Sequence, residues 1–239
     1  MLLCLMSLAA TAQSTLIGDV NGDGVVNIAD VNAVISIIID GPSHPVDEGD
    51  WVDLGLPSGT IWATRNVGAN SPEDYGFYFA WGETEPKEVF SWDNYKWCEY
   101  DSNGDVYITK YNNDDNKKEL ELADDAAFAN CPNGCMPSYE QLIELVHSCT
   151  WTWTQINGVN GRLVTGPNGN TMFMPAAGCF RSSGSLVDVG TKVYYWSSTR
   201  GLSNYYYGCS MKFDSSLVYG LWNNDKRYYG FVVRAVRLQ

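Results

Sequence analysis

Apolar and polar residues alternate in short runs along most of the chain, and Gly, Asn or Pro separates these runs. From Trp51 onward the runs are rich in aromatic and β-branched residues, which pleated, half-buried strands favour. The pattern predicts eight strands, at residues 60–67, 76–81, 105–111, 171–174, 193–198, 207–213, 216–221 and 230–236.

Two segments between these strands have the spacing of helices. The first spans residues 122–128. The second spans residues 139–147 and begins with a capping box, because Ser138 is followed three residues later by Gln141. Leu142, Leu145 and Val146 then form an apolar stripe on one helix face. The large region is therefore expected to be α+β, strand-rich, with two short helices.

Residues 29–39 form a third helical pattern, with apolar residues recurring at intervals of three and four. Gly41 and Pro42 end it. Oxygen-bearing residues precede it with the spacing of a calcium loop, which wraps six to eight oxygens around the ion. Gly24 allows the sharp turn within this loop. The predicted Ca²⁺ ligands, with Val25 contributing its carbonyl, are Asp19, Asn21, Asp23, Val25, Asn27 and Asp30.

This loop and helix, about 25 residues, resemble one half of a type I dockerin: position 12 is Asp30 rather than Glu, and no helix enters the loop. The resemblance implies calcium-dependent docking onto a cohesin-like scaffold, often by polysaccharide-degrading enzymes, or pairing with a second dockerin repeat. Two features depart from the family. Dockerins carry two repeats, and Ile28 and Ala29 stand where a Ser/Thr-type pair often contacts cohesin.

Charge and the N-terminal segment restrict the function further. The net charge is −13, which disfavours binding to nucleic acid or to anionic membranes. Residues 1–12 have an apolar run and an Ala10-Thr11-Ala12 cleavage site, which predict a signal peptide and a secreted or outer-surface protein. We expect no membrane span, a calcium-binding repeat at 13–41, a linker at 42–50 and a large domain at 51–239.

The large domain contains a series of short aromatic and glycine-containing motifs, which begin at residues 52, 78, 122, 136, 166, 195 and 229. Among them are Tyr78-Phe-Ala-Trp-Gly-Glu-Thr84, Tyr195-Trp-Ser-Ser198 and Tyr229-Gly-Phe-Val-Val-Arg234. Their order resembles the Fibrobacter succinogenes major paralogous domain, which is similar to the C-type lectin-like fold. The resemblance implies a C-type lectin-like domain preceded by a half-dockerin calcium loop and helix.

Catalytic chemistry has weak support in the sequence. The two histidines lie in the linker and at a helix end, at His44 and His147, where neither is a convincing base. Carboxylates that qualify for glycoside hydrolysis by residue type alone are Glu83, Glu85, Asp124 and Asp125. Six cysteines follow the signal peptide, and disulfides and buried thiols both remain open.

These observations favour a secreted, non-catalytic binding or adhesion protein that recognises a polysaccharide, a glycoprotein or a surface protein. Two alternatives stay open: a dockerin-bearing carbohydrate-active enzyme that breaks down polysaccharide, and a structural subunit of the cell surface. The tyrosine-rich segments 205–207 and 228–229 and the Trp151-Thr-Trp153 segment supply aromatic rings either for the core or for a binding platform.

Overall fold

The computed structural model describes Val26 and residues 50–181, 184–216 and 221–238; for residues 221–224 and 238 it describes the backbone alone. The chain divides into two units, Met1–Ser43 and His44–Gln239. The predicted signal peptide, the calcium loop with its helix, and the linker lie outside the described residues, except for Val26 and Asp50. Apart from Val26, all described residues belong to the second unit.

The described part of this unit forms fifteen strands and two α-helices, most of them short. The strands are β1 Trp51–Asp53, β2 Thr60–Ala63, β3 Tyr78–Phe79, β4 Cys98–Tyr100, β5 Val106–Ile108, β6 Thr150–Ile156, β7 Val159–Thr165, β8 Thr171–Pro175, β9 Cys179–Phe180, β10 Leu186–Val187, β11 Lys192–Arg200, β12 Tyr207–Asp214, β13 Leu221–Lys226, β14 Phe231–Val232 and β15 Val236–Leu238. The helices are α1 Ala126–Asn130 and α2 Tyr139–Ser148, and two 3₁₀ turns lie at Trp92–Asn94 and Leu122–Asp124.

The strands assemble into five sheets. The largest has the order β13-β12-β11-β14-β3, and in it β11 and β14 run parallel while the other pairs are antiparallel. Two sheets have three strands, in the orders β6-β7-β8 and β1-β2-β15. The pairs β4-β5 and β9-β10 form small two-stranded sheets.

Strand β11 lies between two hydrophobic cores. Because successive side chains of a strand point to opposite faces, Val193 and Tyr195 enter the first core and Tyr194 and Trp196 enter the second. Helix α2 packs on the first core through Leu142, Leu145 and Val146. The five-stranded sheet is therefore buried on both faces along β11, which fixes the positions of the loops at its ends.

Two fully buried arginines hold distant segments together, and neither forms an ion pair with a carboxylate among the described residues. Arg234 donates hydrogen bonds to the carbonyls of Ala63 and Phe173 and to Asn66 Oδ1, at 2.9–3.0 Å. Arg227 donates to the carbonyls of Lys110 and Tyr111. Backbone carbonyls thus accept the hydrogen bonds that a carboxylate would accept in a buried ion pair.

The predicted fold class, an α+β C-type lectin-like domain preceded by a half-dockerin calcium loop and helix, is wrong. The described chain is strand-rich, with five sheets and two short helices, and no calcium loop followed by a helix occurs among its described residues. Short sequence motifs reflect local packing, whereas the fold depends on which strands pair with one another over long sequence separations. Here Gly and Asn residues with positive φ, such as Asn157 and Gly178, divide the chain into many short strands.

Individual elements match the prediction more closely. Helix α2 begins with the predicted capping box: Ser138 Oγ accepts from the amide of Gln141, and Gln141 Oε1 accepts from the amide of Ser138. The helix predicted at 122–128 is instead a 3₁₀ turn followed by α1. Of the strand predicted at 216–221, residues 217–220 lie outside the described residues, and Leu221 begins β13. Strands β1, β4, β6, β7, β9 and β10 have no counterpart among the predicted strands.

Candidate functional site

Asp124, a candidate catalytic carboxylate by residue type, is a buried structural anion. It accepts hydrogen bonds from Lys96 Nζ at 3.0 Å, Lys110 Nζ at 2.6 Å and the Tyr111 hydroxyl at 2.7 Å. Burial alone would raise the pKa of Asp124, but these hydrogen bonds outweigh it and hold the pKa below its ordinary value. Its lone pairs are therefore directed into the protein.

The neighbouring candidates are also engaged in structural contacts. Asp125 caps α1 by accepting from the amide of Phe128, and it accepts from the amide of Met136 at 2.8 Å. Burial raises the pKa of Asp125, although these amides act in the opposite direction. Glu83 accepts from the amide of Lys96 at 2.8 Å and forms an ion pair with Lys87 at 2.7 Å. Glu85 is exposed.

Two further Asp-containing segments have structural roles. The Asp101–Asp105 segment is a turn, because Asp101 Oδ1 accepts from the amides of Asn103 and Asp105. The 222–225 segment lies within strand β13, where Asp225 contacts Lys212 and Ser210. No group of three or more His, Cys, Asp or Glu suited to a metal ion occurs in the described ranges.

The predicted Ca²⁺ ligands Asp19, Asn21, Asp23, Asn27 and Asp30 lie outside the described residues, as does Val25. The site therefore stays a sequence-based prediction, together with docking onto a cohesin-like scaffold. The six cysteines that follow the predicted signal peptide are all described, and all are free: Cys98, Cys131, Cys135, Cys149, Cys179 and Cys209. Of the two alternatives left open by the sequence, disulfides and thiols, the structure has thiols.

A third hydrophobic cluster differs from the other two because most of its side chains reach the surface. Five members are buried, among them Phe90, Tyr95 and Tyr228. Nine further hydrophobic residues pack against them and remain partly exposed, whereas six do so in each of the other clusters. This cluster therefore has an incompletely covered aromatic edge.

Four side chains at this edge form what we call the aromatic patch: Trp92, Tyr100, Tyr205 and Tyr206. The rings of Tyr205 and Tyr206 stack at 4.7 Å with an interplanar angle of 26°, and Trp92 lies edge-on to Tyr206 at 6.3 Å. Tyr100 is 49% exposed and donates to Asp93 Oδ1 at 2.6 Å. The patch presents ring faces and phenolic hydroxyls together.

Hydrogen bonds position the stacked tyrosines. Tyr206 donates from its hydroxyl to the Val106 carbonyl at 2.8 Å, which ties it to β5. The β11–β12 loop that carries both rings is closed by Asn204, whose side-chain oxygen accepts from the amide of Tyr206. The side-chain hydrogen bond between Tyr206 and Tyr205, with a contribution from burial, raises the pKa of Tyr206 to about 12. The Tyr206 phenol is therefore protonated at neutral pH.

A cleft of about 250 Å³ adjoins the patch. Its seven lining residues are Asn113, Arg200, Leu202, Ser203, Asn204, Tyr205 and Tyr206. This volume lies just below the range of about 300–1,000 Å³ that is typical of pockets for drug-sized ligands. Aromatic faces, amides, a hydroxyl and one guanidinium meet here, which suits a small polar ring with an apolar face.

The other tyrosine- and tryptophan-rich segments belong largely to the interior. Trp151 is buried in the first core and Tyr228 is buried in the third. From the sequence alone, these rings could belong either to the core or to a binding platform. In the structure, Tyr205 and Tyr206 line a cleft. Tyr205 and Tyr206 lie in a loop between two long strands, and loops at the ends of a rigid sheet often carry binding residues. That position is the feature that distinguishes them from the buried aromatic segments.

Comparison of the chain with protein-family models, with curated proteins and with solved structures finds no match. The resemblances to a dockerin repeat and to the Fibrobacter succinogenes major paralogous domain therefore stay sequence-based predictions. Within the described ranges, no helix has both the length and the apolar character needed to cross a membrane.

Proposed function

We propose that this chain is a secreted or surface-exposed, non-catalytic binding protein whose large domain recognises a polysaccharide or a glycan-bearing protein through the aromatic patch and its cleft. The stacked pair of Tyr205 and Tyr206 beside the cleft is the observation that carries this proposal. The pair lies on a loop that two hydrogen-bonded strands hold in place.

Sugar rings suit this surface because one face of a pyranose carries C–H groups and its rim carries hydroxyls. The C–H face can lie against an aromatic ring, while amides and hydroxyls at the edge bond the rim. Tyr205 offers the ring, and Asn113, Ser203 and Asn204 offer amides and a hydroxyl. Small-molecule sites combine apolar walls and a few placed polar groups in this way.

The buried carboxylates support a binding role over a hydrolytic one. Asp124, Asp125 and Glu83 accept hydrogen bonds from neighbouring lysines or backbone amides, which fixes their orientation within the protein. None of these three residues lines the cleft beside Tyr205. A glycosidase needs two carboxyl groups that flank the scissile bond.

The test is binding of the chain to a panel of plant and mucin polysaccharides, measured by affinity electrophoresis and calorimetry. We expect Tyr205→Ala to weaken binding about tenfold or more, because the variant lacks the ring that the sugar would contact. For scale, loss of an aromatic side chain that stacks on a nucleobase costs about 1–3 kcal/mol. Tyr206→Phe keeps the ring and removes its bond to Val106, so a smaller loss is expected. Thermal unfolding of each variant checks that the fold is retained.

Tyr107→Ala is the matched control. Tyr107 is 45% exposed and lies on β5 beside Val106, but successive strand residues point to opposite faces, so its ring is directed away from Tyr206. Its loss should leave binding unchanged. Equal binding by wild type and Tyr205→Ala, or no binding to any glycan, would contradict the proposal. Release of reducing ends from a bound glycan would instead favour the hydrolytic alternative.

A further inference from the structure

The cleft beside the aromatic patch contains a guanidinium that has no counter-charge among the described residues. Arg200 ends strand β11, and its Nη1 donates to the Asn112 carbonyl at 3.0 Å and approaches Asn113 Oδ1 at 3.5 Å. Over the ranges that the structure describes, Arg200 forms no ion pair, and its Nε and Nη2 have no hydrogen-bond partner.

Asp114 and Asp115, which follow Asn113 in the sequence, form no ion pair with Arg200 in the described part of the chain. Asp115 accepts hydrogen bonds from the backbone amides of Tyr111, Asn112 and Lys117, which direct its oxygens toward its own loop. None of the seven residues that line the cleft is acidic. An unpaired cation in such a cleft is notable because the chain has a net charge of −13.

Resting on the proposed function, we infer that the ligand of this cleft is an acidic sugar, with its ring against Tyr205 and its carboxylate paired with Arg200. The planar guanidinium presents its N–H donors in a fork that matches the two oxygens of a carboxylate. Asn112 and Asn113 hold the guanidinium from one side through Nη1, which leaves Nε and Nη2 as donors.

Two kinds of acidic sugar have a ring with a carboxylate, namely uronic acids and sialic acids, and the experiment separates them. One arm uses oligogalacturonate as the uronic-acid probe. The other uses a sialylated oligosaccharide. Each is paired with a neutral counterpart, namely the same oligogalacturonate after reduction of its carboxyl groups to alcohols, and the same oligosaccharide without its sialic acid.

In calorimetry with the full chain, we expect one acidic probe to bind about 10- to 100-fold more tightly than its neutral counterpart, as for a charge-assisted hydrogen bond. Arg200→Gln should remove this preference, so that the acidic probe binds no more tightly than its neutral counterpart. Arg200→Lys should keep part of it, because the charge remains while the fork geometry is lost. Lys226→Gln is the control for loss of an exposed positive charge.

The outcomes separate this inference from the proposed function. If Tyr205→Ala weakens binding but acidic and neutral probes bind equally, the inference is overturned and the glycan-binding proposal stands. Retention of the acidic preference in Arg200→Gln would also overturn it. If no glycan binds at all, both fail. The comparison of acidic and neutral probes on the wild-type chain needs no variant, so it remains decisive even if Arg200→Gln does not fold.

Discussion

The guanidinium of Arg227 lies 4.5 Å from the centre of the Trp81 ring, and both side chains are fully buried. The arginine joins the loop before Asn112 to the central sheet, since it donates to the carbonyls of Lys110 and Tyr111 and, at 3.4 Å, to that of Tyr207. Burial lowers the pKa of Arg227 below the ordinary arginine value.

Arg227→Met should therefore reduce the free energy of unfolding by about 3 kcal/mol or more, because buried carbonyls lose their donor. Urea denaturation followed by tryptophan fluorescence measures this loss. The adjacent Lys226 is exposed, and Lys226→Met should change stability by less than about 0.5 kcal/mol. Equal stability of the two variants would contradict the role assigned to Arg227.

Asp124 should make the protein acid-sensitive. Its pKa is lowered in the folded state, so the stability it contributes is complete above its unfolded pKa of about 3.9 and is lost as the pH falls through the folded value. Asp124→Asn should cost about 3 kcal/mol at pH 7, because Lys96 and Lys110 lose their buried partner.

Urea denaturation between pH 7 and pH 3 tests both statements. The difference in stability between wild type and Asp124→Asn should shrink below about pH 4. Asp105→Asn removes an exposed carboxylate and should track the wild type within about 0.5 kcal/mol at pH 7. A difference that is constant across this pH range would show that the charge of Asp124 does not contribute.

Two glycines of the β6–β7 hairpin should lose different amounts of stability when replaced by alanine: Gly158 in the turn and Gly161 in β7. Asn157 and Gly158 both have positive φ, at 48° and 84°, and join two strands in direct register. A Cβ at Gly158 meets no atom within 4 Å, so Gly158→Ala should cost only the backbone strain, about 1 kcal/mol. Gly161→Ala should cost about 2–3 kcal/mol, because its Cβ would lie 2.4 Å from the Met174 carbonyl. Thermal unfolding ranks the two, and the reverse order would contradict the packing around β7.

This hairpin also shows what sequence reasoning can reach. Its Asn157-Gly158 pair is a strong local turn signal, but the two strands that flank it are not among the eight that the sequence pattern predicts. The capping box at Ser138 was predicted, since it depends on residues three positions apart. The sequence also singles out Tyr205 and Tyr206, but their cleft depends on Arg200 and Asn113, which only tertiary structure brings to it.

The predicted calcium loop has its own test. Isothermal titration of the metal-free chain should give one Ca²⁺ per molecule, and Asp19→Ala should abolish it, because the loop loses its first carboxylate ligand. Asp101→Ala is the matched control, since Asp101 begins a similar run of residues but its Oδ1 accepts backbone amides. The prediction would be contradicted if the wild-type chain did not bind Ca²⁺, or if Asp19→Ala and Asp101→Ala reduced Ca²⁺ binding equally.

The three-stranded sheet β1-β2-β15 has a consequence for how the chain reaches its native state. Val236 and Leu238, near the C-terminus, pair with Trp62 and Thr60 on the central strand of that sheet. Residues 60 and 238 lie far apart in the sequence, so β2 can pair early with the nearby β1. It gains its second neighbour only when the distant β15 arrives. Closure over so long a sequence separation is slow, so premature termination before Val236 should leave an open strand edge that invites aggregation.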